Sequence, residues 1–537
     1  MNAIHILRVI SIVTLSNIVF TYCLSGPALD LAPKYNLPKF VVPDSWNGSG
    51  PFIKAKPSDD EIREEWWKLF NDPVLNQLEE EAMTANADLQ ASAERFLQAR
   101  DMMLKVRSKL IPNIGIGVVA SNNKQSEQAL FKGTFDPTYD KNITMGSLAT
   151  WEPDFWSAIR NETWAKIYEA ESVAAEYALA KLSLQSELAT NYFTLRGLEA
   201  QDATYRLSIE YYKQSLKIVE SRFKGGIAPQ LDIFRAQYLL SSTEAKRYDI
   251  QSQRKVIENA IAVLINRSPS TFKIEPQDEL MTADFKIPAH LPANLLERRP
   301  DVAAMERKMA RANREIGIAK AAFFPNVSFN LKGGFEGGTN LFSLSNGFWS
   351  YGAMTSVPLF QGGYRRAQLQ QAWSQYRETE DRYRSTVLNA FREVENGLAQ
   401  TYFYSLEVEK LNAAVETAVK TQDMTTQLYT TGLSNSLELL YAQLSTLTSK
   451  IDAIQVKTNL LNASVSLIRS LGGGWTRKKL PKEDDIQPMD IFEPVDFTNP
   501  KQIKGIEVNS KDNTKYNDFT KPSNPAKAAS EDNSKGK

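Results

Sequence analysis

DLQASAERFLQARDMMLKVRSKLIPN (Asp88–Asn113) and DVAAMERKMARANREIGIAKAAFFPN (Asp301–Asn326) are two copies of one pattern, 213 residues apart. The opening Asp, two Ala positions and the closing Pro-Asn coincide. A second pair stands at an offset of 206: FKGGIAPQLDIFRAQ (Phe223–Gln237) aligns with YTTGLSNSLELLYAQ (Tyr429–Gln443). There Gly226 matches Gly432, Leu231 matches Leu437, Asp232 matches Glu438 and Ala236-Gln237 matches Ala442-Gln443. Units this long are not solenoid repeats. They predict a duplicated architecture with internal pseudo-symmetry, which suits a tube or ring better than an enzyme pocket.

Each copy carries a pair of strand signals. Ile114, Ile116, Val118 and Ala120 alternate with Gly115, Gly117 and Val119. In the second copy Val327, Phe329 and Leu331 fall on one face, with Ser328, Asn330 and Lys332 on the other. Trp349, Tyr351, Ala353 and Val357 again share a face. Period-two alternation predicts strands over 113–122, 143–152, 326–335 and 347–358. Each is about ten residues, the length of a tilted transmembrane strand. GGFEGGTN (333–340) lacks the Lys-Ser/Thr ending and following helix of a phosphate loop, so it reads as a flexible hairpin loop.

Between the strands lie very long helical stretches. Ser157–Lys224 and Tyr364–Thr431 contain no Pro and one Gly each, Gly197 and Gly397. Such length without breakers predicts coiled coil. Leu195, Leu198, Tyr205, Ile209, Tyr212, Leu216, Val219 and Phe223 follow 3-4 spacing. So do Leu437, Leu440, Leu444, Leu447, Ile451, Ile454, Leu461, Val465 and Ile468, which predicts that these leucines form the packed seam. The short turns at Gly225–Pro229 and Thr431–Asn435 fold each long helix back into an antiparallel hairpin. Leu216, Val219 and Phe223 correspond to the more polar Gln422, Thr425 and Tyr429. Burial is therefore expected to be weaker at the tip of the second hairpin, making it the mobile one.

Composition narrows the chemistry. The formal net charge is zero, so no global field favours nucleic acid. A single Cys excludes an intramolecular disulfide framework. Of two His, His5 lies in the leader and His290 sits between prolines, where it reads as a loop residue. No motif for catalysis, cofactor or metal emerges, so the expectation is no enzyme and no cofactor. Residues 1–23 form an export signal, with weakly basic Arg8 and an apolar stretch Val9–Phe20 too short to span a bilayer. Cys23 follows directly and is a candidate for lipidation; Tyr22 departs from the small residue expected before an acylated Cys, and ordinary cleavage near Ser25 is the alternative. Residues 24–60 read as an extended arm, 61–290 and 291–475 as the two repeats, and 476–537 as a disordered polar tail.

Four strands per chain cannot close a barrel, and lipid does not tolerate open edges. Copies must therefore pool strands. Two or three chains would serve, three giving twelve strands; the expected fold class is an α+β membrane protein, a β-barrel with four strands per chain continued by helices reaching about 100 Å.

The chain resembles the outer-membrane efflux channels of the TolC type, lipoprotein branch. The resemblance rests on Trp66-Trp67-Lys68-Leu69-Phe70-Asn71-Asp72-Pro73, Leu295-Leu296-Glu297-Arg298-Arg299-Pro300-Asp301-Val302, Ala321–Pro325 and Pro358-Leu359-Phe360-Gln361-Gly362-Gly363. It implies a homotrimer with a twelve-stranded β-barrel in the outer membrane of a Gram-negative type envelope, continued by a helical tunnel through the periplasm to an adaptor protein and an inner-membrane RND or ABC transporter. The exit duct would conduct drugs and toxic compounds passively. A duct for type I protein secretion, or a periplasmic coiled-coil scaffold, is the alternative. It implies adaptor docking at the tips Gly226, Ile227, Gly432 and Leu433. It also implies a periplasmic aperture at Glu438, with Asp232 its first-copy counterpart. Tyr441 stands where the family has its next acidic position.

Overall fold

The computed structural model describes residues 28–38, 65–124, 126, 139–280, 297–337 and 340–481. The export signal, Cys23, His290 and the tail beyond Pro481 lie outside the described residues. Eleven elements matter: α1 (Pro73–Ala85), α2 (Ala87–Arg107), β1 (Asn113–Lys124), β2 (Tyr139–Trp151), α3 (Ala158–Lys224), α4 (Gln230–Leu264), α5 (Pro300–Ala321), β3 (Asn326–Gly337), β4 (Gly347–Ser356), α6 (Tyr364–Thr431) and α7 (Ser436–Ser470). The order α2-β1-β2-α3-α4 recurs as α5-β3-β4-α6-α7.

Local sequence sets the helix starts. The Asp72 carboxylate accepts hydrogen bonds from the backbone N–H of Val74 and Leu75, and Pro73 occupies the first turn, where no N–H is needed. Asn86 caps α2 through the Leu89 N–H, and Asn435 caps α7 through the Glu438 N–H. At 67 and 68 residues, α3 and α6 each run about 100 Å. The shorter helices stack to match them. Along α3, α2 covers the part near the sheet and α4 the far part; α5 and α7 divide the space between α3 and α6 in the same way. The helical layer thus reads α2-α3-α5-α6 near the sheet and α4-α3-α7-α6 far from it.

The core lies where these stacks meet. Trp66, Phe70, Leu188, Tyr192, Phe193, Ile261, Val387, Val465 and Ile468 are buried there together. Full burial of each large side chain contributes about 1.5–3 kcal/mol. Hence Trp66–Phe70 is a packing motif, with Trp66 and Phe70 meeting edge-on. Arg299 is buried against Asp301 (2.6 Å), Glu393 (2.8 Å) and the Ser470 carbonyl (3.1 Å), joining the start of α5, the middle of α6 and the end of α7. Residues 28–38 lie extended along α3 and α5: the Leu29 N–H donates to the Phe155 carbonyl and the Tyr35 hydroxyl to the Glu306 carbonyl. At the other end the chain stays ordered past residue 476, where Arg477 pairs with Glu306 at 2.7 Å and Trp475 and Leu480 pack on Ala175, Ala303 and Ala304.

Three expectations are corrected. The glycine-rich segment is strand rather than loop: β3 runs through Gly333, Gly334 and Gly337. The glycines are there because neighbouring strands approach closely. An added Cβ at Gly334 would lie 2.1 Å from the Met145 carbonyl oxygen. The leucine seam of α7 is also not the buried one near its tip. Leu437 and Leu444 are 44% and 46% exposed, while Leu439, Ala442, Gln443 and Thr446 face inward. A heptad count finds a stripe but not the neighbour it faces, and α7 meets both α3 and α6 with small residues. Strand ends differ too. β1 and β2 extend to Lys124 and from Tyr139, because backbone pairing continues through polar residues after the apolar alternation stops. β4 ends at Ser356 rather than 358.

Candidate functional site: the sheet faces and the helical tips

β1-β2-β3-β4 form an antiparallel meander with β1 and β4 at its edges. The register sorts side chains onto two faces. One carries Ile114, Ile116 and Val118, then Ile143, Met145 and Trp151, then Phe329, Leu331 and Phe335, then Trp349 and Tyr351. The other is mainly polar: it carries Asn113, Ser121, Asn142, Thr144, Asn330, Lys332, Glu336 and Ser350, with several glycines, beside Val119, Leu148, Phe348 and Met354. An apolar, aromatic-bearing face opposite a polar one is the division a transmembrane strand makes between lipid and lumen. No described helix is long and apolar enough to cross a membrane.

The far ends of the helical hairpins carry the other predicted residues. Both tips close alike. The Ile227 N–H donates to the Arg222 carbonyl at 2.9 Å, and the Leu433 N–H to the Leu428 carbonyl at 2.8 Å. Gly226 (φ +70°) and Gly432 (φ +84°) supply the left-handed residue these closures need. Ile227 and Leu433 stand exposed beyond them.

The structure brings the two tips together. The Arg222 guanidinium lies over the Tyr429 ring, 4.4 Å from its centroid. Tyr429, Val219 and Leu439 form a small buried cluster with Ile233 at its border. Further along, the Tyr211 hydroxyl meets the Thr426 hydroxyl at 2.7 Å, Tyr212 donates to the Gln443 carbonyl at 3.2 Å, and Gln443 donates to the Ser215 hydroxyl at 3.2 Å. Sequence reading missed Arg222, Tyr211 and Gln443; nothing local marks them, because each partner is about 200 residues away. Tyr429, expected to weaken burial, is itself buried.

Glu438 and Asp232 sit differently. Glu438 is exposed in the first turn of α7, where its carboxylate accepts from the Ser434 hydroxyl and the Asn435 side-chain amide. Asp232 is buried in the first turn of α4, 3.5 Å from Arg235. Tyr441 is exposed. Among the described residues no group of three or more His, Cys, Asp or Glu could hold a metal ion.

Comparisons agree with this geometry. The family model of outer membrane efflux proteins matches residues 78–267 and 291–473. The pyoverdine export outer membrane protein OpmQ of Pseudomonas aeruginosa is 28% identical over 456 residues, covering 83% of this chain and 94% of its own. The toluene efflux pump outer membrane protein TtgI of Pseudomonas putida is 28% identical over 411 residues, covering 76% and 87%. Among solved structures, the outer-membrane channel OprN superposes with a TM-score of 0.74 at 28% identity, over 82% of this chain and 99% of that one. The Campylobacter jejuni channel CmeC shares the fold at a TM-score of 0.78 and 22% identity, covering 84% and 96%. A duplicated chain with a two-faced sheet and paired hairpins, matched by that family model in both halves, belongs to the outer membrane efflux protein family.

Proposed function

We propose that three copies close head to tail into a twelve-stranded barrel in the outer membrane, continued by a helical tunnel through the periplasm. One observation carries the reading: sheet and helical layer end on the same two sides. β1 and α4 lie at one side, β4 and α6 at the other. α4 leaves Phe234, Tyr238, Tyr248 and Val256 exposed, and α6 leaves Leu388, Phe403, Met424 and Leu428 exposed. A heterologous contact that pairs such edges generates a ring when the rotation closes. Lipid requires that closure.

The duct takes small molecules from an inner-membrane RND or ABC transporter through a periplasmic adaptor. Relatives named for pyoverdine export and toluene efflux support small-molecule cargo over secreted protein. The adaptor docks at the tips around Gly226, Ile227, Gly432 and Leu433, and Glu438 lines the aperture with Asp232 behind it. Cys23 is lipidated. In support, Leu29 is tied to Phe155, just past the end of β2, and six extended residues reach about 20 Å. Intact-mass analysis tests this: an unmodified N-terminus downstream of Cys23 refutes it. For the assembly, light scattering in mild detergent should give three times the 60.4 kDa of the full chain, less the removed signal. A monomer that conducts no ions in a bilayer would refute the duct.

A further inference from the structure

Gly117, Gly146, Gly334 and Phe348 stand side by side in the register, one from each strand, all on the polar face. Three of four positions in this row therefore have no side chain. The fourth is a phenylalanine, the one aromatic side chain on a face that carries Lys332, Glu336 and Ser350 beside Val119, Leu148 and Met354. Phe348 is the one partly buried residue of β4; the others are exposed. Its ring explains why. A Cβ built on Gly146 would lie 3.3 Å from Phe348 Cζ, although β3 separates the two strands. Neighbouring strands are about 4.8 Å apart. The ring tip can approach β2 only by lying across the sheet, over Gly334. A ring standing off the wall would point away from Gly146.

We infer that Gly334 and Gly146 form a seat holding the Phe348 ring flat against the lumenal wall, and that this seating sets the free bore of the outer half of the barrel for bulky cargo. The inference rests on the barrel reading above. A flat ring presents its apolar face to passing molecules and takes little cross-section. Three upright rings at one level would converge on the axis. Gly146 is thus a positioning residue for Phe348, and aromatic cover in turn shields glycine backbone that lacks its own side chains.

The test places a thiol below this row, on the same face, as Ser328→Cys in the full-length chain in intact cells. A small methanethiosulfonate and a bulky polyethylene-glycol maleimide are added outside, with the parent chain as background. Both reagents should label Ser328→Cys. Adding Phe348→Ala should leave labelling by the bulky reagent unchanged. Adding Gly146→Val instead should abolish bulky labelling and preserve small-reagent labelling, and Phe348→Ala in that background should restore it. Faster bulky labelling in Phe348→Ala alone would mean that the ring already stands in the bore, and overturns the inference. So does a block in Gly146→Val that persists without the ring, since the valine or a shifted backbone would then be the obstruction. An added Cβ at Gly146 also meets the Gly333 carbonyl oxygen at 2.9 Å. If that variant does not assemble, the Phe348→Ala comparison alone decides. Loss of small-reagent labelling in Ser328→Cys itself would refute the lumen assignment, which is a separate failure.

Discussion

The two hairpin tips descend from one pattern and share one backbone closure, yet they spend their aromatic residues differently. Phe223, at the end of α3, is 42% exposed. Its counterpart Tyr429, at the end of α6, is 3% exposed beneath Arg222. The first tip therefore supplies a cation and the second supplies the ring it covers. Counting apolar residues along each helix gives the opposite ranking, because it scores Tyr429 as a polar replacement. Burial is decided by the neighbouring hairpin. A duplicated unit can keep its geometry while its two copies divide the work of a contact between them.

The largest expected effect breaks the symmetry at the turns. Gly432→Trp should abolish drug efflux in an accumulation assay while trimers persist, because the bulk would occupy the proposed docking surface and the left-handed φ disfavours a side chain. Normal efflux would remove Gly432 from that surface. Next come the aromatic counterparts. Tyr429→Ala should destabilise the tip by about 3 kcal/mol, and Phe223→Ala by about 0.5 kcal/mol or less. Amide exchange in the last turns of α3 and α6 reads both. Equal acceleration would erase the distinction between the tips. Tyr429→Phe should be nearly silent, since the hydroxyl has no hydrogen-bond partner in the structure.

A smaller effect follows at the first turn of α7. Glu438→Gln keeps hydrogen-bonding capacity for Ser434 and Asn435 but loses the charge. It should lower cation selectivity, seen as a reversal-potential shift in planar bilayers that shrinks with salt. Unchanged selectivity would take Glu438 out of the aperture. The smallest effect at the tips should come from Glu79, far away in the core. Burial pushes its carboxyl well above the usual range. In the unfolded chain it ionises near 4.3, about its ordinary value. Raising pH past that point stabilises only the unfolded state, so Glu79 costs stability increasingly until its folded-state value is reached. Glu79→Gln should flatten this pH dependence in thermal unfolding and leave tip exchange unchanged. A tip response would mean that core and tips are one cooperative unit.

The sequence carried much of the fold in local signals. Absence of Pro predicted α3 and α6 nearly to the residue. Alternation located the strands. Features set between distant segments were not legible. Gly334 looks like a loop residue until Met145 is seen against it. Leu444 looks like core until α7 is seen turning Gln443 and Thr446 inward. Arg222 is one basic residue among many until Tyr429 lies under it. Gly226, Gly432, Asp232 and Glu438 were paired by matching the two copies, a signal that survives duplication, and the family resemblance supplied their expected roles. The contacts that link the hairpins were not, since they pair residues that differ between the copies.

The stacked helices have a mechanical consequence. α3 and α6 are unbroken posts running from the sheet to the tips, whereas α2 over α4 and α5 over α7 are jointed posts with a knuckle in the core. A jointed post can swivel below its knuckle without twisting what stands above it. An unbroken one must bend along its length or carry the torque upward. Motion at the tips can therefore pivot about the core through α4 and α7, while the sheet above stays undisturbed.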